Sequence, residues 1–187
     1  MAHVLVIGGT GMLADVCISL CTQGYTVSVV GRDALRHEDL KQRLGSRKAL
    51  LNPVIVDYTD LALMSQYLAE AVSKFGSPVM IISWIHSYAQ SAHAIIARLV
   101  KNSRCDYFHV RGSIDPRQLA VKGSTQELME SFPAVQYHLV ILGFIADAKD
   151  FRWLTHNEIS KGVLEAVQKR LPVFTVGTLE PFFARPV

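Results

Sequence analysis

The first 32 residues of the chain leave few folds open. His3-Val4-Leu5-Val6-Ile7 is an apolar run of the kind a parallel strand buried on both faces requires. Gly8-Gly9-Thr10-Gly11-Met12-Leu13-Ala14 follows without a gap. A helical stretch over 12–23 stops at Gly24, a second apolar run over 25–30 leads to Gly31-Arg32-Asp33, and the whole reads strand, turn, helix, strand. A pyrophosphate needs this arrangement. Glycines let the backbone turn tightly and come close to the phosphates. The helix start offers them free N–H groups and the positive end of its dipole. Gly8 and Gly11 take the first two positions of a G-x-x-G-x-x-(G/A) pattern, and Ala14 takes the third, where a small residue lets helix and strand pack.

The end of the second strand bears on which dinucleotide fits. An acidic side chain there would accept from the adenosine ribose and favour NAD. The residue present is Arg32, which suits a 2′-phosphate and favours NADP(H) over NAD(H). Asp33, one residue later, has the place of an N-cap for the next helix.

Past Arg32 the alternation continues. Helices are expected over 33–44, 61–74, 91–101, 124–131 and 155–169. Strands are expected over 51–56, 79–85, 105–110, 137–145 and 173–176. Thr155 with Glu158 three residues on forms a capping box. Strands alternating with helices mean an α/β fold. It is a Rossmann-type doubly wound, mostly parallel sheet of about six to seven strands with helices on both faces. No linker, repeat or low-complexity segment interrupts it, so residues 1–187 read as one domain.

Composition closes off other classes. The chain has 187 residues, 50 % hydrophobic and 19 % charged, enough for one domain with a real core. A net charge of +3 with dispersed basic residues gives no footprint for nucleic acid. No run approaches the ~18 apolar residues of a membrane span. No basic leader follows Met1, and Cys17, Cys21 and Cys105 show no framework or ligand spacing, so a reducing, cytoplasmic location and no metal are expected. Cys17 and Cys21 share a helix face and read as buried small hydrophobes. His109 and His138 lie at strand positions expected to alternate toward solvent. Phe151, Trp153 and Phe182-Phe183 read as packing or interface residues.

With these motifs the chain resembles the short-chain dehydrogenase/reductase superfamily, over nearly its whole length in element order. Val6-Ile7-Gly8-Gly9-Thr10-Gly11-Met12-Leu13-Ala14 is similar to the glycine motif of the extended and atypical branches, and Gly31-Arg32-Asp33 to the NADP-type strand end. The resemblance implies that Gly8, Gly9, Thr10, Gly11, Met12 and Leu13 hold the pyrophosphate. It places Arg32 on the 2′-phosphate, Asp57 on the adenine with Tyr58 beside it, and Ser83, Trp84 and His86 near the nicotinamide ribose. Asp57 is equally placed to cap a helix. The resemblance also implies a homo-oligomer, although the short segment between the fourth and fifth strands removes part of the family's usual interface.

The sequence departs from the family at the catalytic residues. Where the best-known members have Asn-Ala-Gly, this chain has Ser83-Trp84-Ile85-His86-Ser87. Ser113 is a passable match to the family's serine after the fifth strand. The Tyr-x-x-x-Lys motif is missing: no tyrosine stands between Ser113 and Tyr137, and Gln118 precedes Lys122 by four. Tyr107 is followed four residues on by Arg111, not lysine. Reduction of a carbonyl needs an acid near the substrate oxygen. His86 and Tyr88 are the nearest titratable groups, with Ser113 to bind substrate and Arg111 to steady negative charge. Each also has a plainer reading: strand-end cap for His86, packing for Tyr88, turn residue for Ser113, ion pair for Arg111. Two functions stay open: an NADP(H)-dependent oxidoreductase acting on a small carbonyl-type substrate, or a non-catalytic NADP(H)-binding redox sensor.

Overall fold

The computed structural model describes residues 1–113, 123–147 and 150–180. Ile114, Asp115, Pro116, Gln118, Lys122 and Phe182-Phe183 lie outside them. Seven parallel strands form the main sheet: β1 (His3–Ile7), β2 (Thr26–Gly31), β3 (Leu51–Ile55), β4 (Met80–Trp84), β5 (Cys105–Gly112), β6 (Val135–Leu142) and β9 (Val173–Val176). Their spatial order is β3-β2-β1-β4-β5-β6-β9, with the order reversing between β1 and β4. Every neighbouring pair is parallel. That is the expected doubly wound sheet, at the upper end of the expected strand count.

Burial explains the composition of the strands. All five residues of β1 are buried, because helices cover both faces of the sheet. On one face Val4, Val6, Ile82, Phe108 and Val140 pack against α1 (Ala14–Thr22), α2 (Ala34–Leu44) and α6 (His156–Lys169). On the other, Leu5, Ile7, Ile81 and Tyr107 pack against α3 (Leu61–Phe75), α4 (Ala92–Val100) and α5 (Ser124–Glu130). Pro53 is accommodated because β3 is an edge strand. Cys17, Cys21 and Cys105 are buried free thiols, the first two buried as read.

The predicted helix ends are built from the residues that signalled them. Asp33 caps α2, accepting from the backbone N–H of Leu35 and Arg36 at 2.9 and 3.3 Å. Thr155 and Glu158 form the capping box of α6. Two expectations need correcting. The sixth strand does not run on to Ile145. It ends at Leu142, and the chain turns at Gly143 into an antiparallel hairpin, β7 (Phe144–Asp147) and β8 (Asp150–Trp153). A Cβ on Gly143 would lie 2.2 Å from the Thr178 carbonyl oxygen, so the turn is made where the backbone after β9 crosses it. His109 and His138 do not face solvent. They are only 4 % and 7 % exposed, because β5 and β6 are covered on both faces.

Candidate functional site

The carboxyl ends of β1, β2, β3 and β4 open onto a cleft of about 390 Å³ beside the point where strand order reverses. Its floor is the β1–α1 turn. Gly8 has φ +74°, and a Cβ there would stand 2.6 Å from the Trp84 carbonyl oxygen, so the turn passes too close to β4 for any side chain. Gly11 is different. The nearest atom to a Cβ built on it is Nη1 of Arg36, 3.9 Å away. Packing does not require glycine at that position, and Gly11 lines the cleft. Leu13 at the N-cap of α1 makes no side-chain cap bond, and the N–H of Ala14, the first residue of the helix, donates to the Gly11 carbonyl at 3.0 Å.

Gly8, Thr10, Gly11, Met12, Arg32, Asp57, Tyr58, Trp84, His86 and Tyr88 all line the cleft, which brings together most of the residues singled out in the sequence. Leu13, Gly9, Ser83, Arg111 and Ser113 do not line it. Leu13 is fully buried in the core. Gly9 packs beneath the turn, where a Cβ would meet Cys17 Sγ and Val29 Cγ1, each at 2.8 Å. Ser83 is fully buried and points to the opposite face of the sheet, toward Tyr107.

Arg32 and Asp57, expected to serve separately, form one unit. Arg32 Nη1 lies 3.3 Å from Asp57 Oδ2 across the ends of β2 and β3, with the arginine side chain 75 % exposed. Asp57 Oδ1 accepts from the backbone N–H and hydroxyl of Thr59 at 2.9 and 2.8 Å. These bonds, and then Arg32, hold its carboxyl below the ordinary value. Asp57 thus does not take the helix-cap role the sequence also allowed, which falls to Asp60 at the start of α3; it fastens the turn at Thr59 and pairs with Arg32.

On the far wall the aromatic rings contact one another. Trp84 meets His86 edge-on at 5.9 Å, and His86 stacks on Tyr88 at 5.4 Å with 10° between planes. Tyr88 is 70 % exposed, so it is not the partly buried packing residue of the plainer reading. It hydrogen-bonds Tyr58, whose hydroxyl is pushed up to about 12, first by burial and then by that bond. Two cleft residues were missed in the sequence: Arg36, in the first turn of α2, and His156, at the start of α6. Helix α6 is tied to the glycine turn by Ser160, whose hydroxyl donates to the Met12 carbonyl at 2.9 Å.

Behind Ser83, on the α4 side, lies a second polar group of a different kind. His93 Nδ1 is hydrogen-bonded to the Tyr107 hydroxyl at 2.6 Å, and His109 Nδ1 to the Tyr137 hydroxyl at 2.8 Å. The two imidazoles meet edge-on at 4.8 Å. Burial, followed by Arg111, pushes His93 down to about 4. Burial, followed by His93 and Arg111, pushes His109 down to about 2. Burial raises both tyrosines well above their usual range. Tyr107 and Arg111 sit on one strand, two side-chain periods apart, and cannot act as the tyrosine–lysine pair that one helical turn would bring together. Ser113 is half-buried just after β5.

The strand order, the glycine turn and the cleft at the reversal point are together decisive once set against solved structures. A short-chain dehydrogenase/reductase from Serratia marcescens superimposes with a TM-score of 0.69 at 14 % identity, covering 94 % of this chain and 96 % of that one. The chain has the short-chain dehydrogenase/reductase fold. Serine dehydrogenase from Escherichia coli matches with a TM-score of 0.63 at 17 % identity over 94 % of this chain and 96 % of that one. The bulky-bulky ketone specific alcohol dehydrogenase from Comamonas testosteroni matches at 0.68 and 16 % identity, covering 98 % and 89 %. No family model and no curated protein sequence matches the chain. The cleft lies at the carboxyl ends of the strands, beside the point where their order reverses. The described residues contain no cluster of metal-ligating side chains and no helix long and apolar enough to cross a membrane.

Proposed function

We propose that this chain binds NADP(H) in the cleft and acts as an oxidoreductase on a small carbonyl-type substrate. The observation that carries the reading is the free space over Gly11, bounded by Arg36 and continuous with the Arg32–Asp57 pair. The backbone of the β1–α1 turn holds the diphosphate. Arg32, held in place by Asp57 but 75 % exposed, is free to take a 2′-phosphate. Tyr58 and Asp57 flank the adenine. When bound, the cofactor supplies hydride, and the protein supplies position and field. His86 and Tyr88, stacked at the rim, are the titratable groups from which a proton can be donated, with Ser113 beyond them to hold substrate. The buried His93 and His109 are unsuited to that role, since burial keeps both imidazoles neutral.

The second reading, a redox sensor without turnover, is favoured by the missing Tyr-x-x-x-Lys motif, and the sensor binds NADPH and NADP+ unequally. Calorimetric titration of NADPH and NADH into the wild-type chain and Arg32→Ala tests the shared foundation. The expected result is micromolar NADPH binding that weakens about 10- to 100-fold on losing Arg32, the range for charge-assisted hydrogen bonds worth about 1.5–3 kcal/mol, with NADH little changed. Equal loss for both cofactors removes the 2′-phosphate role of Arg32. No binding of either removes the dinucleotide reading.

A further inference from the structure

A doubly wound sheet offers a dinucleotide two half-sites, one on each side of the reversal between β1 and β4. The two are not equally open here. Among the described residues, the cleft over β1, β2 and β3 ends at Trp84, His86 and Tyr88, and no residue of β5 or β6 lines it. The indole of Trp84 explains where it ends. Its Cδ1 lies 3.4 Å from the point a Cβ on Gly8 would occupy, and its Cη2 lies 3.9 Å from the corresponding point at Gly112. Gly8 follows β1 and Gly112 ends β5. The ring therefore runs from the glycine turn across β4 to β5, over the carboxyl ends that the second half-site uses. It is half-buried, packed against the core on one side and held edge-on by His86 on the other.

We infer that the resting site is built for the 2′-phosphorylated adenosine diphosphate half of the cofactor, with the Trp84 indole standing in the place of the nicotinamide. This rests on the NADP(H) reading above. The nicotinamide ring enters only when the indole turns aside. The adenine half therefore binds first and supplies the affinity, and Trp84 sets how often the site is ready for hydride transfer. The ligand class follows: 2′-phosphorylated adenine nucleotides that lack nicotinamide bind this protein as well as the intact cofactor does.

The test is a calorimetric series of 2′,5′-ADP, NADP+ and NADPH on the wild-type chain and on Trp84→Ala, with far-ultraviolet circular dichroism confirming that the variant is folded. On the wild type, the three dissociation constants are expected to agree within about threefold. Removing the indole removes the need to displace it, so NADP+ and NADPH gain about fivefold or more while 2′,5′-ADP is unchanged. Should Trp84→Ala fail to fold, the wild-type series still decides. NADP+ or NADPH binding about 30-fold tighter than 2′,5′-ADP overturns the inference and leaves the NADP(H) reading intact. A large preference between NADP+ and NADPH also overturns it. Absence of binding by all three defeats the NADP(H) reading, and the inference with it.

Discussion

Over β1, β2 and β3 the strands run out into small or exposed polar residues: Gly8, Gly31, Arg32, Asp57. Over β4, β5 and β6 the polar groups are turned inward: His93 Nδ1 is bonded to Tyr107 and His109 Nδ1 to Tyr137, while Ser83 Oγ and His93 Nε2 are buried without a hydrogen-bond partner among the described residues. Both halves are made of the same strand–helix unit and lie in one sheet. They differ in what their polar atoms are left to do. In the first half, backbone donors and a guanidinium face open space. In the second, the His93–Tyr107 and His109–Tyr137 pairs are buried, and the Trp84 indole reaches from Gly8 to Gly112 at the end of β5. Polar residues near a strand end therefore do not by themselves make a site; in the first half they line an open cleft, and in the second they are buried.

The largest effect that tests this contrast is expected at Gly8. Its φ of +74° is strained for any residue with a Cβ, and that Cβ would meet the Trp84 carbonyl at 2.6 Å. Gly8→Val combines left-handed strain of about 1–2 kcal/mol with a clash against backbone that cannot move without β4. A loss above about 3 kcal/mol is expected in urea unfolding, enough to unfold a marginal domain. A small loss would mean that the two halves are not locked together at this turn.

The next effect belongs to the second half. His93 and His109 are held neutral in the folded protein, down to about 4 and about 2, but titrate near about 6.5 once unfolded. Below that value the unfolded chain binds protons that the native protein refuses, so stability falls as pH falls. Above it these groups contribute no slope. Each imidazole costs about 2 kcal/mol between roughly pH 6.5 and pH 5. His3 and His37, lowered first by burial, add to the same trend from the other half of the molecule. Tyr107, Tyr137 and Arg111 around the pair carry no negative charge in this range; the nearby carboxylate is Glu130, which acts on Tyr137. Urea midpoints at the two pH values check the slope, and His109→Gln, which keeps a polar atom without the titration, should remove His109's share. An unchanged slope in that variant would mean that His109 is protonated inside the fold and that the second half is not a neutral network.

The sequence made the first half easier to read than the second for a physical reason. Its signals are local. The Asp33 cap acts within a few residues of itself, and Gly8 and Gly11 are marked by their place between a strand and a helix, although what excludes a side chain at Gly8 is the distant Trp84 carbonyl. In the second half the Thr155–Glu158 box is the comparable local signal. The hairpin β7–β8 was hidden because Gly143 is forced to be small by Thr178, which lies far along the chain, and 137–145 otherwise reads as one apolar run. The inward turn of Ser83 and the His–Tyr pairs depend on the register of β4 on β5 and β5 on β6, which no local pattern shows. Arg36 and His156 were missed, yet each left a trace. Both put a basic side chain into the first turn of a helix, where the dipole disfavours positive charge, and that is a reason to look for an anion nearby.

The smallest effect on stability is expected at Gly11, and it is the most discriminating of the three. Its φ is not in the left-handed region, and a Cβ there meets only the tip of the Arg36 side chain at 3.9 Å, an ordinary contact with a flexible group. Gly11→Ala should therefore change the urea midpoint by the equivalent of about 0.5 kcal/mol or less. The methyl group occupies the space through which a diphosphate approaches the backbone, and NADP(H) affinity should fall by about 1 kcal/mol, roughly fivefold. A glycine that can be replaced without harm to the fold but with a loss of binding is kept for the ligand. The reverse result, a clear loss of stability with affinity intact, would make Gly11 another packing glycine like Gly9, and the open half of the sheet would lose the feature that separates it from the closed one.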